Sequence, residues 1–198
     1  MTEIVAAARA DYPAVSETLA QAFQSDPALS WILPDPDHRA RALRALFRVL
    51  VPADARSGVV LRAAGDEAAA LWRSPGHAHS GAMEFLRTLL PLLSAFGTAL
   101  PRGLHVQASI DANRLEGRFW YLHYVGVRPV QQGRGHGGRI IRAQTTIADV
   151  QALPCWLETA TRENVSLYER LGFSTMVEWD VKGGGPHFWG MVREPLRP

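Results

Sequence analysis

The sequence has little lysine, little cysteine and almost no net charge. Its 198 residues carry twenty arginines but only Lys182 as lysine, and the formal net charge is +2. Because the basic residues are spread along the chain and form no tail or stripe, we expect no nucleic-acid partner. Cys155 is the one cysteine. It excludes an internal disulfide and offers no metal-ligand spacing, so we expect no metal site and interpret Cys155 as a core residue.

Long apolar runs are also missing. The most apolar stretch, LLPLLSAFGTALP at 89–101, is shorter than the roughly 20 residues that span a bilayer. The first residues include Glu3 and Asp11 where a secretion signal would be basic. We therefore expect no membrane association and a cytoplasmic location. Since 47% of the residues are apolar, the chain can bury one sizeable core, which predicts a single domain over 1–198.

The periodicity of apolar residues predicts the order β-α-α-β-β-α-β-α-β-α-β-β, a mixed sheet with helices on both faces and hence an α/β fold. Asp-Pro and Pro-Asp steps predict a loop over 24–37. The middle of the chain, 80–115, reads as mostly helical, with breaks predicted at Pro91, at Gly97 and at 101–103.

The segment VRPVQQGRGHGGRII at 127–141 places four glycines within six positions, at a predicted junction of strand and helix. Without β-carbons, several backbone N–H groups can point at one spot near the positive end of a helix dipole, which predicts a phosphate or pyrophosphate site. A Walker loop would end in Gly-Lys-Ser or Gly-Lys-Thr, whereas this loop ends in Gly-Arg-Ile. The glycines also satisfy G-x-G-x-x-G with Glu158 20 residues further on, as in a dinucleotide fold. Against that reading, five residues separate the strand from the first glycine and only 40 follow Glu158.

A third interpretation rests on two motifs. The run V-G-V-x-P-x-x-Q-G-x-G-x-G-G from Val125 to Gly138 resembles the acyl-CoA motif of the GNAT superfamily of N-acetyltransferases, with Gln132, Gly135 and Gly137 at its defining positions. The later segment ETATRENVSLYERLGF at 158–173 resembles the second signature of that family. Together with the closing strands, these motifs cover roughly the last 80 residues. Segments across the chain are also loosely similar to the puromycin N-acetyltransferase branch.

The resemblance implies a central, mostly antiparallel sheet that splays at a V-shaped cleft, with acetyl-CoA bound in the cleft. On this reading, residues 116–198 bind acetyl-CoA and residues 1–115 bind the acceptor. The pantetheine arm would lie along a strand that carries a bulge, for which Gly126 is a candidate. Asn164 would contact the pantetheine, and Tyr168 would protonate the departing thiolate. The residues implied to bind acetyl-CoA are Val125, Gly126, Val127, Gln132, Gly133, Arg134, Gly135, His136, Gly137, Gly138, Asn164 and Tyr168.

An ammonium must lose a proton before it can attack an acyl group, so a general base is needed. Glu158, at the end of one predicted strand, and His123, on another, are the two candidates. The acceptor pocket implied by the resemblance draws on aromatic residues and one acid, which favour an amine with a flat or apolar body and let Asp26 hold a cationic group. The predicted acceptor-binding residues are Phe23, Asp26, Trp31, Trp72 and Trp189.

These observations lead to the hypothesis of an N-acetyltransferase that moves an acetyl group from acetyl-CoA to a primary amine of a small molecule. Transfer would be direct, within a ternary complex, since no nucleophilic side chain is indicated. Two alternatives stay open: an acyl-CoA-binding sensor without catalytic activity, and a nucleotide-dependent oxidoreductase that uses the same glycines. The sequence is compatible with a monomer or a homodimer.

Overall fold

The computed structural model describes residues 2–78 and 82–196. Helices alternate with strands along the chain, as expected of an α/β fold, and the first and last elements are the strands β1 and β7. The strands are β1 (Ile4–Ala6), β2 (Gly58–Ala63), β3 (Ala68–Arg73), β4 (Trp120–Val127), β5 (Cys155–Thr159), β6 (Ser174–Asp180) and β7 (His187–Arg193). The helices are α1 (Tyr12–Ala22), α2 (Pro27–Ile32), α3 (Pro36–Ser57), α4 (Ala82–Phe96), α5 (Leu100–Asn113), α6 (His136–Val150) and α7 (Arg162–Glu169).

The strands form one sheet in the order β1-β2-β3-β4-β5-β7-β6. Neighbouring strands are antiparallel except β4 and β5, which are parallel. The predicted mixed, mostly antiparallel sheet is therefore confirmed. The antiparallel β7 and β6 that follow β5 differ from the parallel strands that a dinucleotide fold would add at this point.

Helices cover both faces of the sheet. One apolar cluster packs α1 to α5 against residues such as Val60, Leu71 and Phe188, and another packs α6 and α7 against residues such as Trp72 and Leu122. Gly126 on β4 lies directly under α1: a β-carbon there would be 2.6 Å from Cβ of Ala22. The missing side chain thus lets α1 approach the strand closely.

Two local predictions were wrong. The segment 24–37 was expected to be a loop but contains α2, because the Asp26 carboxylate accepts a hydrogen bond from the Leu29 N–H and Pro27 stands in the first turn. In the helical middle, Pro91 lies inside α4, and Pro101 occupies the first turn of α5, where a proline costs no hydrogen bond. Of the predicted breaks only the one at Gly97 is present, as a short 3₁₀ segment.

None of the helices in the described part of the chain is both long and apolar enough to cross a bilayer.

Candidate active site

The glycine-rich loop joins β4 to α6 and presents backbone rather than side chains. Gly133 and Gly135 have φ of 76° and 79°, in the left-handed region that glycine adopts without strain. Gly135 is the N-cap of α6, and no side chain caps the helix. The first N–H groups of α6 thus remain available to an anion at the positive end of the helix dipole. The Gln132 amide donates a hydrogen bond to the Val127 carbonyl at 3.2 Å and ties the loop to the end of β4.

A cleft opens beside this loop, between β4 and β5. The two strands pair only through Trp120 with Cys155 and Tyr121 with Trp156. Beyond Tyr121 no described strand pairs with β4 on that side, so the backbone of Val125 to Val127 is open to an extended ligand. This is the V-shaped splay that the family resemblance implies, and it lets an added chain bind β4 as another strand would.

A bulge in β4 lies at His123, not at Gly126 as expected. Leu71 pairs with Tyr124 and Trp72 pairs with Leu122, which leaves His123 without a partner on β3. The extra residue reverses the alternation of side chains. Leu122 and Val125 both pack in the cluster beneath α6, whereas Tyr124, between them, packs in the cluster beneath α1 and α3. The bulge therefore directs His123 and Tyr124 toward the same face.

The open end of the cleft leads into a cavity of about 670 Å³. Val125, Asn164 and Tyr168 line its side nearest the splayed strands, and His123 and Glu158 line its middle. The far part is formed by α2, α4 and α5 and is mostly apolar. Its walls there include Leu29, Ile32, Leu92, Phe96, Leu100, Val106 and Ile110. One cavity thus connects the edge of β4 with a chamber suited to an apolar molecule.

His123 is held by a buried carboxylate from α3. Nδ1 of His123 lies 2.7 Å from Oδ2 of Asp54, and the Arg73 guanidinium donates to Oδ1 of the same carboxylate at 2.7 Å. The Asp54 and Arg73 side chains are 0% and 2% exposed. Burial opposes ionisation of Asp54, but His123 and Arg73 outweigh it and hold its pKa below the usual value. Burial also lowers the pKa of His123, so its ring is neutral at pH 7.

Glu158, across the cavity on β5, is surrounded by donors. Its Oε1 accepts a hydrogen bond of 2.6 Å from the Trp156 indole and lies 3.5 Å from Nε of Arg114. The Tyr121 side chain also favours the ionised form of Glu158. Burial raises the pKa of Glu158, and Arg114 only partly offsets this. The carboxylate is 5% exposed, and its lone pairs are largely engaged by the protein itself.

Two further polar groups, Tyr168 and Asn164, line the cavity on the side nearest the unpaired part of β4. Tyr168, on α7, is 6% exposed, and burial, together with the charge of Asp26, raises the pKa of its hydroxyl. A phenol with a raised pKa keeps its proton at pH 7 and can give it to a stronger base. Asn164, four residues earlier on α7, lines the same side of the cavity.

Comparisons with known proteins agree on one family. A model of the acetyltransferase (GNAT) family matches residues 97–173. A protein of Schizosaccharomyces pombe named as an uncharacterized N-acetyltransferase is 28% identical over 175 residues, 82% of this chain and 70% of its own. The structure described as histone acetyltransferase HPA2 and related acetyltransferase, from Corynebacterium glutamicum, has 26% identity and a TM-score of 0.74, covering 100% of this chain and 99% of that one. These findings support a GNAT superfamily N-acetyltransferase.

Arylalkylamine N-acetyltransferase 2 from Aedes aegypti shares the fold of this GNAT enzyme, with a TM-score of 0.61 and 15% identity over 97% of this chain and 98% of that one. The family match over residues 97–173, which includes the glycine-rich loop, and the antiparallel β7 and β6 replace the dinucleotide interpretation of that loop. The chain is therefore an acetyltransferase, and the oxidoreductase alternative falls.

The predicted acetyl-CoA residues fall into two groups in this GNAT fold. Val125, Gly126 and Val127 lie on the unpaired part of β4, and Val125 lines the same cavity as Asn164 and Tyr168. The others lie on the loop and the first turn of α6: Gln132, Gly133, Arg134, Gly135, His136, Gly137 and Gly138. His136 is an exception in its side chain, which is buried and contacts Arg139 at 3.0 Å, so only its backbone can serve the loop.

The predicted acceptor residues are only partly brought together. Phe23 and Asp26 line the cavity. Trp31 does not line it; it packs at the edge of the core, 5.8 Å from the Arg102 guanidinium. Trp72 is fully buried and Trp189 is 7% exposed, both in the cluster beneath α6. Because β3 and β7 turn these two indoles into that core, we remove Trp72 and Trp189 from the acceptor site.

The sequence reasoning missed the polar residues that organise the cavity: Asp54, Arg73, Arg114 and Tyr121. A signal for Asp54 was present. It continues the apolar stripe of α3 formed by Leu43, Phe47 and Leu50, at helical spacing. A single acid on the buried face of a helix requires a partner, and its partners are on β3 and β4.

Proposed function

We propose that this acetyltransferase moves the acetyl group of acetyl-CoA directly to a primary amine of a small molecule. The observation that carries the proposal is the continuous cavity, whose one side is the unpaired edge of β4 and whose other side is the apolar chamber of α2, α4 and α5. A donor along β4 and an acceptor in the chamber would meet beside His123 and Tyr168. Their proximity would make the transfer effectively unimolecular.

The residues present fit acetyl-CoA. The loop around Gly133 and Gly135 has room for a pyrophosphate, since no atom lies within 4 Å of where a β-carbon would stand at either glycine. The backbone of Val125 and Val127 can hydrogen-bond the pantetheine arm, and Asn164 faces it. A main-chain N–H of this strand can also stabilise negative charge on the thioester oxygen. Bound acetyl-CoA supplies the activated acyl carbon.

The transfer balances with two proton-handling side chains. A base takes one proton from the acceptor ammonium and passes it to water, and the free amine forms a C–N bond as the C–S bond breaks. Tyr168 gives its proton to the departing sulfur and is restored by the second proton of the amine nitrogen. No covalent intermediate with the protein is needed. Cys155 is buried in β5, and burial raises the pKa of its thiol to about 12, which makes it a poor nucleophile.

The chamber favours an acceptor with an apolar body. Its walls are aliphatic and aromatic, and α4 and α5 close it over the sheet. Asp26 is the acid at its inner edge, with its oxygens held by backbone N–H groups of α2. Burial raises the pKa of Asp26. A nearby cation would favour its ionised form, so Asp26 is suited to an acceptor that carries a cationic group.

Thiol release from acetyl-CoA in the presence of amines tests the proposal. We expect arylalkylamines and aromatic aminonucleosides to be acetylated, with the product identified by mass, and a lysine-containing histone-tail peptide to react poorly. Turnover confined to the peptide would contradict the small-molecule acceptor. Binding of acetyl-CoA without turnover of any amine would also contradict the proposed acceptor class.

Replacing Tyr168, the proposed general acid, tests its part in catalysis directly. Tyr168→Phe keeps the packing of the ring but removes the proton, so we expect kcat to fall on the order of 10²-fold. The affinity for acetyl-CoA, measured by calorimetry, should stay within about threefold. An unchanged kcat would remove Tyr168 from the mechanism.

A further inference from the structure

We propose that His123 is the general base of the reaction and that Asp54 is the positioning residue that fixes its tautomer. This inference rests on the proposed function, since it concerns the proton that the acceptor amine must lose. It chooses between the two bases that the sequence left open and assigns a role to an acid that the sequence analysis did not identify.

The geometry of the Asp54 carboxylate determines where the histidine proton lies. Arg73 can only donate, and its Nε donates to Oδ1 of Asp54 at 2.7 Å. The other oxygen, Oδ2, lies 2.7 Å from Nδ1 of His123. Because an ionised carboxylate only accepts, a neutral His123 must carry its proton on Nδ1. The lone pair is then on Nε2, and no described group is hydrogen-bonded to Nε2.

The bulge in β4 makes this contact possible. It places His123 on the same face as Tyr124, toward α3 and the cavity, and Asp54 is the residue that continues the apolar stripe of α3 to meet the ring. The side chain of His123 is 13% exposed, whereas that of Asp54 is wholly buried. The ring therefore touches the cavity while its orienting partner is protected from water.

Glu158 is the weaker candidate because of its surroundings. Trp156 donates a hydrogen bond to its Oε1, Arg114 adds a positive charge 3.5 Å from the same oxygen, and Tyr121 also favours the ionised form. Because Oε1 is occupied by the indole N–H and the side chain is only 5% exposed, an acceptor amine has less access to Glu158 than to His123. Its role on this account is to hold Arg114 and Tyr121 at the wall of the cavity.

Other charged and titratable groups also surround the His123 ring. Asp54 favours the imidazolium, while Arg73 and Arg114 oppose it. Tyr121 and Tyr124 contact the ring with centroids at 5.3 Å and 4.4 Å. Burial is the largest influence and keeps the pKa of His123 below its ordinary value. In the reaction, one proton of the acceptor ammonium passes to Nε2 and then to water, while the Nδ1 proton stays on the Asp54 hydrogen bond.

The variant Asp54→Asn tests the tautomer. Arg73 would hold the amide oxygen, so the amide nitrogen would face Nδ1 and donate to it, which moves the proton of His123 to Nε2. We expect kcat to fall on the order of 10²-fold, with KM for acetyl-CoA within about threefold. The matched control is Asp149→Asn, which alters a carboxylate bound to Arg193 at 2.7 Å outside the cavity and should leave kcat unchanged. Equal losses in the two variants would contradict the positioning role.

Nitrogen NMR of the protein labelled at histidine reports the tautomer without any substrate. The His123 signals are assigned by their loss in His123→Gln. At pH 7.5 we expect a protonated Nδ1 and an unprotonated Nε2 in the natural protein, and the reverse in Asp54→Asn. A protonated Nε2 in the natural protein would overturn the inference alone. The expected tautomer in a protein that acetylates no amine would contradict the proposed function alone.

Discussion

Two buried carboxylates lie near the same cavity, Glu158 in its wall and Asp54 behind His123. Their surroundings shift their pKa values in opposite directions. Asp54 has Arg73 and His123 at 2.7 Å, and its pKa is lowered. Glu158 has Arg114 only at 3.5 Å together with neutral donors, and its pKa is raised. The comparison teaches that burial alone does not decide the protonation state; the distance to the compensating cation does. The ionised Asp54 can orient His123, whereas Glu158 holds Arg114 and Tyr121 at the wall of the cavity.

The largest expected effect of this difference is on rate. His123→Gln should lower kcat/KM on the order of 10²- to 10³-fold, because the amine then loses its base. Glu158→Gln keeps the size of the side chain and an acceptor oxygen for Trp156. The decrease in kcat/KM should therefore be at least tenfold smaller than in His123→Gln. Steady-state kinetics with one amine and saturating acetyl-CoA measures both. Equal decreases in kcat/KM would contradict the assignment of His123, rather than Glu158, as the base.

The next effect is on stability. Asp54→Ala removes the buried carboxylate that accepts the hydrogen bond of Arg73 and contacts His123, and we expect the free energy of unfolding to fall by about 3 kcal/mol. The control is Glu17→Ala, which breaks the exposed pair with Arg44 at 3.1 Å and should cost about 1 kcal/mol or less. Urea unfolding followed by circular dichroism gives both values. A cost for Asp54→Ala as small as that of the control would show that the buried contact is not formed.

The smallest effect concerns the close packing of α1 against β4. In Gly126→Ala the new methyl group would lie 2.6 Å from Cβ of Ala22 and 3.1 Å from Cδ2 of Leu19, so we expect about 1 to 2 kcal/mol of destabilisation from overpacking. Gly103→Ala is the matched control, since its methyl group would be 3.8 Å from the nearest atom, inside α5; there alanine should stabilise by up to about 1 kcal/mol. A Gly126→Ala protein as stable as the natural one would contradict the close approach of α1 to β4.

The sequence was sufficient for the family, the sheet and the donor side of the cleft because those depend on local patterns. Glycines at fixed spacing mark the loop, and Asn164 and Tyr168 are four residues apart on one helix, so each motif can be interpreted without knowledge of distant contacts. The short α2 was missed although its signals, Asp26 followed by Pro27, are also local. The repeated Asp-Pro and Pro-Asp steps along 24–37, which are typical of a loop, obscured them.

The acceptor side depends on contacts between residues far apart in sequence. Asp54 and His123 are 69 residues apart, and their contact requires a bulge whose position is set by the pairing of β3 with β4. Alternation along a strand does not reveal at which residue a bulge occurs. The same uncertainty affects Trp72 and Trp189, since which face a strand residue occupies depends on register. Those two indoles were expected at the acceptor and lie in the core beneath α6.

The pH dependence of kcat/KM tests most directly whether His123 or Glu158 is the base. In the natural enzyme the rate should rise with pH through a group whose pKa lies below the usual histidine value of about 6.5 and then level off, because only neutral His123 accepts the proton. We predict that this rise disappears in His123→Gln and persists at the same pH in Glu158→Gln. A rise that persists in His123→Gln and disappears in Glu158→Gln would make Glu158 the base and contradict the account.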